Sequence, residues 1–220
     1  MCGIIGFTGR LEAQKILTEG LAALEYRGYD SAGIAYFKDT GKISIRKTVG
    51  KVKDLLAICD DENNSTCGIG HTRWATHGGV TNANAHPHKV GNVALIHNGI
   101  IENYHEIVNK FDLADSLISE TDTEVAAARI HKLYDGDPKA TIKKAVAELQ
   151  GSFAFCIMFK DQPGKIFAVR NVSPMVATYC DDGAFIASDL TAFIKYSKRY
   201  FIVPEYAIMT MTADGITIED

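Results

Sequence analysis

The sequence predicts an α+β fold in which antiparallel sheets carry helices on their outer faces. Two observations point there. Strand-like segments come in runs, and the clearest helical patterns fall together between them. That order favours antiparallel sheets over the regular strand–helix alternation of a doubly wound fold. The chain has 220 residues, 46% of them hydrophobic, so the core can be large.

The elements follow in order. Ile4–Phe7 reads as a short buried strand. Ala13, Ile16, Leu17, Gly20, Leu21 and Leu24 then fall on one face of an amphipathic helix that ends before Gly28. Ile34–Phe37 and Ile43–Lys47 form a strand pair joined across Asp39-Thr40-Gly41. Cys67–His71 and Val93–His97 are further strands. Three helices come next. Tyr104, Ile107, Val108 and Phe111 share a face; Thr121 and Glu124 form a capping box that opens the second helix. Asp137 as N-cap, Pro138 at the first helical position and Gly151 past the end bracket the third. Strands return at Phe153–Phe159, Ile166–Arg170, Ala184–Ala187 and Ala207–Thr212, with a short helix from Asp189 to about Ser197.

Charge and cysteine usage narrow the class. Lys and Arg number 23 against 27 Asp and Glu, so no basic surface for nucleic acid is expected. No apolar run reaches the length of a membrane span, and with no charged segment leading into an apolar one no secretory signal is expected. Cys2, Cys59, Cys67, Cys156 and Cys180 are odd in number and irregular in spacing, which points to a reducing, cytoplasmic setting rather than a disulfide framework.

The chemistry concentrates in four stretches: HTRWATHGG (His71–Gly79), HPH (His86–His88), HNGIIEN (His97–Asn103) and SETDTE (Ser119–Glu124). Taken alone, Asn98-Gly99 reads as a turn; within a site, its amide and the glycine N–H could form an oxyanion hole. Arg73 offers a planar fork for a carboxylate, or a surface ion pair. Asp122 suits the first turn of a helix, or a substrate ammonium. Trp74 could be core or a pocket wall. The histidines do not complete a metal-binding pattern, so no metal and no cofactor are expected. Cys2 is the most telling residue. With Met1 removed it carries a thiol and a free α-amine whose pKa lies near 8. Nucleophile and base then belong to one residue. The run Ile4–Phe7 would hold that terminus inside a sheet.

Cys2-Gly3-Ile4, EYRGYDSAG (Glu25–Gly33), HTRWATHG, NAHPH (Asn84–His88), HNGIIEN and SETDTE together resemble the class II glutamine amidotransferases, which are N-terminal-nucleophile hydrolases. Among them the pattern is similar to the glutaminase domains of glucosamine-6-phosphate synthases, and GSFAF (Gly151–Phe155) and ASD (Ala187–Asp189) also fit. The resemblance implies one glutaminase domain over residues 1–220, built as a four-layer αββα sandwich. It implies Cys2 as nucleophile, Asn98 and Gly99 as oxyanion hole, and Arg73 and Asp122 on the α-carboxylate and α-ammonium of L-glutamine. Thr76 and His77 would belong to a closing loop, Trp74 would stand by the ammonia route, and Arg27 would order the site. The expected partner is a sugar-phosphate isomerase half, fused or separate, with the isolated domain monomeric. Because the chain ends at Asp220, it is expected to be an excised domain or a stand-alone subunit. The family's Glu-Pro-Ser after HTRWATHG is replaced here by Gly79-Val80-Thr81, which points to a more mobile loop. A glutaminase serving another synthase and a non-catalytic glutamine sensor are the other readings.

Overall fold

Gly3–Gly9 forms the first strand (β1), and every residue in it is buried. In this computed structural model, which describes residues 2–38, 40–60, 63–76 and 78–219, β1 lies near the middle of a seven-stranded sheet. The other elements of the N-terminal part are α1 (Ala13–Ala23), β2 (Ser31–Phe37), β3 (Ile43–Val49), α2 (Val52–Leu56) and β4 (Cys67–Arg73). Then come β5 (His88–Val90), β6 (Val93–Ile101), α3 (Tyr104–Phe111), α4 (Asp122–Leu133) and α5 (Pro138–Val146). The last part holds β7 (Gly151–Phe159), β8 (Ile166–Asn171), β9 (Val176–Cys180), β10 (Gly183–Ala187), β11 (Phe201–Ile202), β12 (Ile208–Thr212) and β13 (Gly215–Glu219).

One sheet runs β11-β9-β10-β1-β4-β2-β3 and the other β13-β12-β8-β7-β6-β5, with antiparallel pairing throughout. Alternation along each strand divides its side chains between two faces. Ile4, Ile69, Ala94, Ile96, Cys156 and Met209 meet between the sheets. Ile5, Phe7, Ile34 and Phe185 face α1 and α2. Val93, Leu95, Phe153 and Phe155 face α3, α4 and α5. The result is the four-layer αββα sandwich.

Several elements depart from their sequence reading. The third helix stops at Val146, and Gly151 opens β7 instead of closing the helix. At Gly151 φ is +106° and a Cβ would lie 2.2 Å from the Ile100 carbonyl, so the close strand approach requires glycine. Only half of the capping box forms. Thr121 Oγ1 accepts the Glu124 N–H at 3.3 Å, but the Glu124 carboxylate turns to the N–H groups of Ile118 and Ser119. The helix expected from Asp189 to Ser197 shrinks to a single 3-10 turn, Leu190–Ala192, because Phe193 and Tyr196 pack onto Phe185. The β2–β3 turn includes Asp39, which lies outside the described residues. α2, β5, β9, β11 and β13 were not legible as elements.

Candidate active site

Cys2 sits at the entrance to β1, where the next residue, Gly3, pairs with Thr72 of β4. A Cβ on Gly3 would come within 2.6 Å of Thr72 Oγ1, so this approach also requires glycine. The Cys2 carbonyl is held from two sides, by Arg27 Nε and Asn98 Nδ2, each at 3.0 Å. The Trp74 N–H points at the Cys2 sulfur at 3.2 Å. Burial pushes the thiol above its ordinary value, while the Trp74 N–H and the Arg73 and Arg27 charges act against that rise. The question of Met1 lies outside the described residues.

Around Cys2, the EYRGYDSAG stretch buttresses the start of the loop that follows β4. The Asp30 N–H donates to the Arg73 carbonyl, and its carboxylate accepts the Ala75 N–H at 2.9 Å. A Cβ on Gly28 would lie 2.7 Å from the Arg73 carbonyl carbon. Arg27 also approaches Asp189 at 3.9 Å. Arg73, at the end of β4, is almost fully buried. Its guanidinium donates to the carbonyls of Gly79 and Gly78, at 3.0 and 3.3 Å. Trp74 is about half exposed and leans on the Tyr29 ring.

The opposite bank belongs to β6 and α4. Asn98-Gly99 is not a turn. Both residues lie inside β6, and the ladder to β7 runs on through Ile100 and Ile101. Gly99 has φ +135°, and a Cβ there would sit 2.1 Å from the Ser152 carbonyl. No other residue fits that backbone. Asp122 opens α4, is buried, and accepts the Ile101 N–H at 2.8 Å. Cys2, Arg73, Trp74, Thr76, Gly99 and Asp122 line one cleft. An adjoining cleft is lined by Cys2, Arg27, Trp74, Thr76, Asn98 and Gly99. Of the sequence-named site residues, all but His77 are thus brought together; His77 lies outside the described residues.

Residues 71–195 match the family model described as a glutamine amidotransferase domain. The chain belongs to the class II glutamine amidotransferases. The glutamine–fructose-6-phosphate aminotransferase (isomerizing) of Fusobacterium nucleatum is 46% identical over 225 residues, covering 100% of this chain and 37% of that one. The enzyme of the same name from Aquifex aeolicus is 41% identical, covering 99% and 37%. The chain therefore spans little more than a third of these relatives. Among solved structures, the glutamine phosphoribosylpyrophosphate amidotransferase of B. subtilis, complexed with ADP and GMP, superposes with a TM-score of 0.85 at 25% identity. That match covers 99% of this chain and 49% of the other. No helix among the described residues is long and apolar enough to cross a membrane.

The amidotransferase domain also packs together histidines that the sequence analysis weighs only as metal ligands. His71, His86, His88 and His97 are all buried beside the cleft. The His71 and His86 rings stack at 4.0 Å, and His86 meets His88 edge-on at 4.8 Å. Thr123 Oγ1 lies 2.9 Å from both His86 Nε2 and His97 Nδ1, and Thr121 Oγ1 lies 3.1 Å from His88 Nε2. Burial drives the values of His71, His86 and His88 down, to about 3 for His71, so these rings are neutral. Among the described residues no three His, Cys, Asp or Glu side chains are grouped to hold a metal ion. Asn84 and Glu120 form a second missed group. Asn84 Nδ2 donates to the Gly79 carbonyl at 3.0 Å and to Glu120 at 2.9 Å, and Glu120 accepts the Gly79 N–H at 3.2 Å. One signal was available: His71 and Arg73 are two apart on a strand and so share a face.

Proposed function

We propose that the chain hydrolyses L-glutamine to glutamate and ammonia, with Cys2 as nucleophile. The observation that carries this reading is the shared cleft: a half-buried thiol, a buried Arg73 and a buried Asp122 face one space. An arginine fork and a carboxylate suit the two charged groups of an α-amino acid. With Met1 removed, the Cys2 α-amine takes the thiol proton. The thiolate attacks the side-chain amide carbon, and the oxygen becomes negative as the tetrahedral intermediate forms. The Asn98 Nδ2 and Gly99 N–H groups donate to it there. Collapse expels ammonia, the amine returning the proton, and leaves a γ-glutamyl thioester. Water attack on that thioester then releases glutamate and the free thiol.

The ammonia serves a sugar-phosphate isomerase half, making glucosamine 6-phosphate from fructose 6-phosphate. The support for this partner is the similarity to glutamine–fructose-6-phosphate aminotransferases along the whole of this chain. Trp74, half exposed where the two clefts meet, would border the ammonia route. The test is direct. Purified chain whose intact mass lacks Met1 should release equal amounts of glutamate and ammonia from glutamine. A glutamine analogue bearing an electrophilic ketone should label Cys2 and none of the other four cysteines. Labelling elsewhere would overturn the assignment.

A further inference from the structure

His71 lies on β4 and points between the sheets, as does Ile4, its partner across the ladder. Asn98 lies on β6, two residues after Ile96, which also points between the sheets. The two side chains therefore meet in the seam. His71 Nε2 is 3.0 Å from the His97 carbonyl and 3.1 Å from Asn98 Oδ1. A carbonyl oxygen only accepts, so Nε2 must carry the ring hydrogen. That one N–H is shared between the His97 carbonyl and the Asn98 side chain. The atom of Asn98 that faces it must then be the oxygen.

The far end of the amide gives the same answer. Asn98 Nδ2 donates to the Cys2 carbonyl at 3.0 Å, again an atom that only accepts. Nδ2 has two hydrogens, and this contact uses one. We propose that His71 is a positioning residue: its Nε2–H fixes the Asn98 amide so that the second Nδ2 hydrogen is held ready for the substrate oxygen. The His86 ring, stacked on His71, keeps the donor ring in its plane. Burial keeps His71 neutral, so the same hydrogen-bond pattern persists across the working pH range.

The inference rests on the proposed glutaminase reaction for its kinetic part alone. The structural part is read by nitrogen NMR of histidine-labelled protein, which needs no turnover. His71 should be neutral with its hydrogen on Nε2 from pH 5 to 8. A hydrogen on Nδ1, or a charged ring in that range, overturns the proposal. Kinetics add the catalytic part. His71→Met removes the donor at similar volume and should lower kcat about tenfold with KM for glutamine unchanged. His71→Gln places an amide N–H near the same point and should restore kcat to within about threefold of the natural protein. In an Asn98→Ala background, His71→Met should cost less than about a further twofold, because the two act as one unit. Full additivity of the two losses, or a folded His71→Met with natural kcat, overturns it. If His71→Met does not fold, His71→Gln decides: a loss as deep as that of Asn98→Ala would refute the role.

Discussion

The two banks of the cleft are built differently. On the seven-stranded bank, Cys2 and Arg73 stand at strand ends, and the Cys2 sulfur and the Arg73 guanidinium meet main-chain atoms of the loop that follows β4. Cys2 meets the backbone of Trp74, and Arg73 holds the carbonyls of Gly78 and Gly79. On the six-stranded bank, Asn98 and Gly99 lie inside a strand, and Asp122 begins a helix whose side is buried. Their neighbours include buried side chains: His71 beside Asn98, and His97 and Thr123 beside Asp122. The first bank, tied to the loop after β4, is the more adjustable in construction, and the second is fixed by the contact of Asn98 on β6 with His71 on β4 of the other sheet. A partial division of labour follows. In the proposed reaction capture is shared between Arg73 on the first bank and Asp122 on the second, while the donors awaiting a developing charge, Asn98 and Gly99, lie on the second alone, where preorganisation is worth most.

Removing the nucleophile is the largest break. Cys2→Ala should abolish glutamate release while leaving circular dichroism and glutamine binding intact, as judged by calorimetry. Any residual turnover above background would place the nucleophile elsewhere. Next comes the fixed bank. Asn98→Ala should lower kcat by about 10²–10³ with little change in KM. If KM rises instead, Asn98 belongs to capture and the contrast between the banks fails.

The adjustable bank should show the opposite pattern. Arg73→Lys keeps the charge but loses the fork that spans Gly78 and Gly79, so KM for glutamine should rise about tenfold or more, with a smaller fall in kcat. A change confined to kcat would contradict the assignment. A smaller effect is expected at Glu120, which is exposed and ties Gly79 to Asn84. Glu120→Gln should raise KM only about two- to threefold, since solvent screens the exposed carboxylate and the neutral amide keeps an acceptor for the Gly79 N–H. An unchanged KM would mean the Asn84–Glu120 latch is incidental.

Acid sharpens the comparison from the side of stability. His71, His86 and His88 have folded values below the roughly 6.5 of an unfolded histidine. Between those values the unfolded chain binds more protons, so their contribution is complete above about pH 6.5 and drains away as pH falls toward the folded values. Urea midpoints should therefore drop between pH 7 and pH 5. The drop should be shallower in His71→Gln. Equal midpoints at pH 7 and pH 5 would mean the rings charge without unfolding.

Sequence alone went far here because the reactive residues have distinctive types and neighbours. A cysteine behind the initiator methionine, an arginine and an aspartate in polar motifs, and an Asn-Gly after an apolar strand are visible without coordinates. Amphipathic spacing fixed α1 and α3, because a helix that packs on a sheet must repeat its apolar residues near every 3.6 positions. Other features depend on contacts between residues far apart in the chain. That Asn98-Gly99 continues β6 is decided by β7, whose Ser152 carbonyl occupies the place of a side chain at Gly99. That Gly151 opens a strand rather than closing a helix is decided by Ile100. The neutral histidines are the plainest case. As a sequence they are four polar residues that complete no metal-binding pattern. Only the closing of two sheets around them removes water, suppresses their charge, and sets the single shared hydrogen of His71 between the His97 carbonyl and Asn98.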